Sequence, residues 1–261
     1  MTSDSYKKAA DALLKAHRTG NFISPLRDAI GNEPEAGYAV QAINTARWVE
    51  EGRRIVGRKI GLTSLAVQRQ LGVDQPDFGV LFADMEFGDG DELPFERMQQ
   101  PRAEAEIALV MGRDTENPDV TYAELVKSVD CVLPAIEIVG SRIKDWDIKI
   151  SDTIADNASS GLYVLGGPMR KLEGVDLVNA GMVMSCNGRP VSFGAGVACL
   201  GSPLNAALWL ARKSASLGTP LKEGDVILTG ALGPMAPVAR GDVFEARIES
   251  IGSVRFSVDA K

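Results

Sequence analysis

Three glutamates carry the first chemical signal in this 261-residue chain. The segment Pro101-Arg-Ala-Glu-Ala-Glu-Ile-Ala-Leu-Val110 alternates in polarity and ends in apolar, β-prone residues, the pattern of a strand. Side chains of a strand alternate between faces, so Glu104 and Glu106 point the same way with backbones roughly 6–7 Å apart. A second strand, Cys131 to Val139, carries Glu137 between Ile136 and Ile138, in an apolar run where an unpaired charge is costly. If the two strands are neighbours, three carboxylates surround one point, and a hard divalent cation with a preference for oxygen resolves their repulsion. The competing reading leaves Glu104 and Glu106 on a solvated sheet face and pairs Glu137 with an arginine such as Arg142. The spacing alone admits both.

Other chemistries are excluded by what the chain lacks. Its single histidine, His17, falls on the polar side of an N-terminal helix and reads as solvated, so nucleophilic triads that need an imidazole have no base. No phosphate-binding P-loop, dinucleotide G-x-G-x-x-G turn or H-x-E zinc pattern occurs. The formal charge of −7 and pI near 4.9 oppose a nucleic-acid surface. Cys131, Cys186 and Cys199 form no C-x-x-C pair, which fits a reducing compartment. The N-terminal stretch is not apolar like a signal peptide, and no run reaches the ~20 apolar residues that span a bilayer. A cytoplasmic enzyme acting on a small molecule is expected, working with carboxylates, lysine, hydroxyls and metal.

The elements that must position these residues are legible in part. Helices are expected from about Asp4 to Arg18 and from Glu35 to Glu51, the second with an apolar stripe of Ala39, Ala42, Ile43, Ala46 and Val49 and a stop at Gly52. A short strand covers Arg54 to Ile60, and Thr63 is placed to cap a brief helix to Leu71. Asn187-Gly188 marks a type I′ hairpin. Ser202 and Pro203 open a helix with Leu204, Ala207, Leu208, Ala211 and Ala215 on one stripe, closed by Gly218. Phe244, Ala246 and Ile248 alternate in a terminal hairpin that turns near Ile251-Gly252. This is an α+β chain, with residues 1–53 as a helical N-terminal cap and 54–261 as a β-rich catalytic body.

The segments GRKIGLTS (57–64), GVDQPDFGVLFADM (72–85), PRAEAEIALVMGRD (101–114), LPAIEIVGSRIKDW (133–146), DTIADNASSG (152–161) and DVILTGALGPM (225–235) resemble the hydratases of aromatic meta-cleavage pathways. These form a hydratase/decarboxylase family within the fumarylacetoacetase superfamily. The resemblance implies a mixed β-sheet or β-roll body of the fumarylacetoacetase C-terminal type with a helical N-terminal part, and a homo-oligomer. It also implies Mg²⁺ or Mn²⁺ on Glu104, Glu106 and Glu137, Lys59 as the active-site lysine, and Asp77 and Phe78 in the loop beside the substrate. Asp156, Ser160 and Thr229 fall in segments that line the pocket.

The implied reaction is hydration of a small 2-hydroxydienoate, with room for association with other enzymes of such a pathway. A vinylogous 2-oxoacid decarboxylase of the 4-oxalocrotonate type and a noncatalytic oxoacid-binding partner subunit are the alternatives. The superfamily's C–C hydrolases use a Glu-His dyad that has no counterpart here. Read without the resemblance, Asp77 after Pro76 is a good turn residue, Ser160 a cap and Thr229 a strand end.

Overall fold

The computed structural model describes residues 3–65, 68–69 and 73–261. Its helices are α1 (Ser3–Thr19), α2 (Arg27–Ile30), α3 (Pro34–Glu50), α4 (Tyr122–Ser128), α5 (Ile150–Ala155) and α6 (Pro203–Ser216). Its strands are β1 (Ile55–Gly61), β2 (Asp77–Phe82), β3 (Glu86–Gly88), β4 (Glu92–Leu93), β5 (Arg102–Met111), β6 (Val129–Val139), β7 (Leu162–Leu165), β8 (Gly181–Cys186), β9 (Arg189–Ala195), β10 (Val226–Ala231), β11 (Ala236–Pro237), β12 (Val243–Ile248) and β13 (Gly252–Val258). The expected end of a helix at Leu71 lies outside the described residues.

Two sheets make the body. The larger runs β2-β1-β10-β5-β6-β7-β3 with β11 beside β5, and the smaller runs β4-β13-β12-β8-β9. Strand alternation gives the larger sheet two apolar faces. Ile60, Phe78, Ile107, Leu109, Ile136, Ile138 and Ile227 join Phe244, Val254 and Phe256 of the smaller sheet and Ala207 and Leu210 of α6 in the main core. On the other face Leu81, Ala108, Ala135, Tyr163 and Leu228 form a second cluster. Lys59, Asp77, Glu104, Glu106 and Glu137 continue that second face at one end, as the pairings Lys59–Leu228, Gly61–Asp77, Leu228–Ala108 and Glu106–Ala135 place them.

The punctuation in the sequence operates as the local physics requires. Asn187 and Gly188 adopt φ of 51° and 75° in the β8–β9 hairpin. Ser202 caps α6 by accepting from the Leu204 amide at 3.3 Å. Phe244, Ala246 and Ile248 are buried at alternate positions of β12. In α3, however, the stripe expected from its apolar residues is not the buried one: Ala42, Ala46 and Val49 are exposed, while Gly37, Gln41, Asn44 and Trp48 face inward. Close approach and hydrogen bonding outweigh hydrophobic patterning there. A Cβ at Gly37 would lie 2.8 Å from Ile154 Cβ. Gln41 Nε2 donates to the carbonyls of Phe78 (2.9 Å) and Ile154 (3.0 Å), and Asn44 Nδ2 donates to that of Ala10 (2.9 Å), so these buried amides find acceptors on neighbouring elements.

Candidate active site

Antiparallel pairing of β5 and β6 sets Glu104 directly opposite Glu137, and alternation brings Glu106 to the same face. One oxygen from each of the three carboxylates lies within 4.8 Å of the others, the one such group among the described residues. Glu106 and Glu137 are each 1% exposed. The competing reading, glutamates on a solvated face with Glu137 paired to Arg142, is overturned. The cation that meets Glu137 is Lys59, whose Nζ lies 3.3 Å from Oε2.

Burial raises all three glutamates, because water no longer solvates their charge. Glu137 is pushed up to about 7 by burial and the charge of Glu104 against the opposing pull of Lys59. Glu106 is raised further by Glu137 and Glu104. Burial alone would lower Lys59, but Glu137, Asp77, Glu104 and Glu106 outweigh it, so its ammonium stays charged.

Asp77 opens β2 beside this cluster, buried and with its own carboxyl raised by burial against the pull of Lys59. Gly61, its pairing partner, leaves room for it: a Cβ at Gly61 would lie 2.2 Å from Asp77 Oδ1. Gly79 pairs with Lys59 and leaves similar room for the turn at residues 157–160, where an added Cβ would meet the Asn157 carbonyl at 2.2 Å and Ser160 Oγ at 2.7 Å. Within that turn the carbonyl of Ala158 accepts from Lys59 Nζ at 2.9 Å. The structure therefore gathers Lys59, Asp77, Ser160 and the three glutamates.

Three other expected residues sit differently. Phe78 projects to the opposite sheet face, with its ring stacked on Tyr38 at 4.8 Å and edge-on to Trp209 at 6.5 Å. Thr229 gives its hydroxyl to the carbonyl of Ile107 at 2.7 Å; an irregularity between Leu228 and Ala231 turns instead the amide of Gly230 toward the site, where it donates to Glu106 Oε2 at 2.8 Å. Gly230 has φ of 107°, and a Cβ on it would meet Thr63 Oγ1 at 2.3 Å. Asp156 is enclosed by Arg142, which donates from Nε to Oδ1 (2.7 Å) and from its own amide to Oδ2 (2.9 Å). His17, expected in solvent, packs edge-on to Trp48 with Nε2 3.8 Å from Asp156 Oδ1; burial, then Arg142 and Arg53, hold it well below its ordinary value.

Some contributors were invisible in the sequence. The Gly230 amide and Ala158 carbonyl are backbone groups with no side-chain signature, and Gly61 and Gly79 matter through the atoms they lack.

The donor set suits a hard divalent cation. Glu106 Oε1 and both carboxylate oxygens of Glu137 accept no hydrogen bond although fully buried. Three closely spaced anionic oxygens with unsatisfied lone pairs and one compensating lysine leave excess negative charge for an oxygen-seeking ion.

Comparisons with known proteins place the chain among relatives. Residues 54–259 match the family described as Fumarylacetoacetate (FAA) hydrolase C-terminal. The chain is 58% identical to the TodF product hydratase of Pseudomonas putida F1, over 95% of this chain and 93% of that one. It is 55% identical to the 2-keto-4-pentenoate hydratase of Paraburkholderia xenovorans LB400, over 98% and 95%. Its fold superimposes on 4-oxalocrotonate decarboxylase from Pseudomonas putida G7, complexed with magnesium and adipate, with a TM-score of 0.94 and 32% identity over 99% and 98% of the two chains.

Proposed function

This chain belongs to the Fumarylacetoacetate (FAA) hydrolase C-terminal family, and from that premise we propose that it is a lyase that adds water to 2-hydroxypenta-2,4-dienoate, giving 4-hydroxy-2-oxopentanoate in aromatic meta-cleavage catabolism. The observation that carries the reading is the buried set of Glu104, Glu106 and Glu137 with Lys59 against it. Bound at those glutamates, Mg²⁺ or Mn²⁺ would supply Lewis acidity toward the substrate's C1 carboxylate and C2 oxygen.

The chain's own residues account for the remaining steps. Lys59 directs one N–H to Ala158 and presents its charge beside the acids, where it stabilises negative charge on the C2 oxygen as the dienol ketonises. The 2-hydroxyl loses its proton and C5 gains one, giving a 2-oxo-3-enoate whose C4 is electrophilic through conjugation. Water adds at C4 and a proton at C3. Asp77 is the group we assign to accept the proton from water: its Oδ1 is buried without a partner, and its raised pKa brings it nearer neutrality, where a general base works best. The unpartnered Ser160 Oγ is assigned to substrate binding. Phe78, Thr229 and Asp156 engage Tyr38, the Ile107 carbonyl and Arg142 instead and are given no catalytic step. A homo-oligomeric assembly, association with other enzymes of the pathway and a cytoplasmic location belong to the same proposal; no described helix is long and apolar enough to cross a membrane.

Decarboxylation of 4-oxalocrotonate is the second reading, favoured by the closeness of the decarboxylase fold. The sequence is nearer the hydratases, at 55% and 58% identity against 32%. Offering the purified protein each substrate separately with Mg²⁺ discriminates the two. Hydration predicts conversion of the monocarboxylate to the 4-hydroxy-2-oxoacid; CO₂ release from the dicarboxylate without hydration of the monocarboxylate would reverse the assignment.

A further inference from the structure

Strand β2 lies at the end of the larger sheet, with β1 on one side and no further strand on the other among the described residues. Two carboxamides stand where the missing strand would be. Gln41 Nε2 donates to the Phe78 carbonyl at 2.9 Å. The amide of Asn157 makes a strand-like pair with Val80, Oδ1 accepting from its N–H at 2.7 Å and Nδ2 donating to its carbonyl at 2.9 Å. Asn157 is 4% exposed, so the pair is closed to water.

Asn157 also opens an unusual piece of backbone. Asn157, Ala158 and Ser159 adopt φ of 54°, 51° and 56°, three successive left-handed residues. Asparagine tolerates this conformation; alanine and serine favour it little, and runs of it are rare for L-residues. Such strain persists only where surrounding contacts enforce it. Asn157 holds one end of the turn against Val80, and at the other the amide of Gly140 donates to the Ser159 carbonyl at 2.9 Å. Between these anchors the Ala158 carbonyl reaches Lys59 Nζ. Lys59 is paired in register with Gly79, the residue beside Val80, so the anchor and the lysine belong to adjacent rungs of one ladder.

We propose that Asn157 is a positioning residue for Lys59: by clamping the left-handed turn to β2, its carboxamide places the Ala158 carbonyl so that the lysine ammonium is held against Glu137 and toward the substrate oxygen. The inference rests on the role given to Lys59 above.

The test is a double-mutant cycle. Asn157→Gly removes the amide while keeping a residue at ease with positive φ. Turnover number should fall about tenfold, the effect of losing one well-placed buried hydrogen-bonding group, with KM and Mg²⁺ affinity changed less than about twofold. Asn187→Gly is the control: Asn187 has φ of 51° and accepts from the Val243 amide at 2.9 Å, far along the chain on the smaller sheet, and its loss should leave turnover unchanged.

In a Lys59→Ala background, Asn157→Gly should cost nothing further, because the group it positions is gone. The same cycle read by calorimetry of oxalate binding to the Mg²⁺-loaded protein gives a second measure where residual turnover is low. Wild-type kcat in Asn157→Gly, losses that multiply in the double variant, or a collapse of Mg²⁺ binding and melting temperature in Asn157→Gly would each overturn the proposal. Full turnover in Lys59→Ala would remove the role of Lys59 itself and the proposal with it, and that outcome is told apart because it appears without any change at Asn157.

Discussion

Lys59 Nζ stands 3.3 Å from Glu137 Oε2, with side chains 4% and 1% exposed, so the cation and the anion at the centre of the site are sealed from solvent together. One lysine facing three glutamates leaves the cluster short of positive charge, and the geometry yields consequences for metal affinity, pH and mutation.

Replacing Lys59 with methionine keeps most of the side-chain volume and deletes the charge. Metal affinity should rise, because a repelling cation has left the neighbourhood of the carboxylates, while turnover falls by about 10²–10³ through loss of electrostatic stabilisation of the enolate oxygen. Calorimetric Mg²⁺ titration and steady-state kinetics on the same preparation check the opposite signs. Weaker metal binding together with lower turnover would indicate a collapsed site.

The pH dependence follows from the raised carboxyls. Glu104, Glu106 and Glu137 have folded-state pKa values above their ordinary 4.5, Glu137 at about 7. The folded, metal-free protein therefore retains protons that the unfolded chain has lost, and this contribution lowers stability as pH rises from about 4.5 through 7. A bound divalent cation favours the ionised carboxylates and stabilises the folded state by mass action. The gain in melting temperature from saturating Mg²⁺ should therefore be larger at pH 8 than at pH 5.5. A gain that shrinks with rising pH would contradict the raised carboxyls.

Much of this centre was legible because strand alternation is a rigid rule: the E-x-E spacing settles that Glu104 and Glu106 share a face. That Glu104 stands opposite Glu137 was not legible, since register depends on the β5–β6 connection and on every neighbour that buries one face. Helix α3 misled for a related reason. Of its expected stripe Ala42, Ala46 and Val49 lie outward, while Gln41 and Asn44 turn inward beside Tyr38, Val40 and Trp48, where carbonyls of neighbouring elements accept from their amides. Arg142 was noticed as a partner for Glu137, yet it serves Asp156, and only the folded path of residues 140–160 brings that pair together. For Thr229 the sequence marks the segment but not the atoms: its hydroxyl bonds the Ile107 carbonyl, and the donor that reaches Glu106 is the next residue's amide.

Gly61→Ala tests the space reserved for Asp77. The new methyl would fall 2.2 Å from Oδ1, so the carboxylate must move while the surrounding sheet retains its pairing. Overpacking of this kind costs about 1–3 kcal/mol. The expected result is a folded protein that binds metal normally and turns over at least about tenfold more slowly, as misplacement of a general base implies. Unchanged turnover would argue against Asp77 as the base.

Arg142 and Asp156 form a buried pair, and removing one partner strands the other. Arg142→Met should cost about 3–5 kcal/mol of stability, the usual range when a buried ion pair is broken. Denaturant unfolding measures this. Mg²⁺ affinity of the folded protein should stay near the wild-type value; a variant of normal stability that has lost metal binding would place the pair in the metal site after all.

The most direct measurement follows 2-hydroxypenta-2,4-dienoate by NMR with protein stripped of metal by a chelator and then titrated with Mg²⁺, alongside the Glu104→Gln, Glu106→Gln and Glu137→Gln variants. Hydration at the carboxylate centre requires no conversion beyond background without metal, return of activity on adding Mg²⁺ with 4-hydroxy-2-oxopentanoate as the product, and a higher Mg²⁺ requirement in each variant. Full turnover after stripping, or a Mg²⁺ requirement unchanged in all three variants, would contradict it.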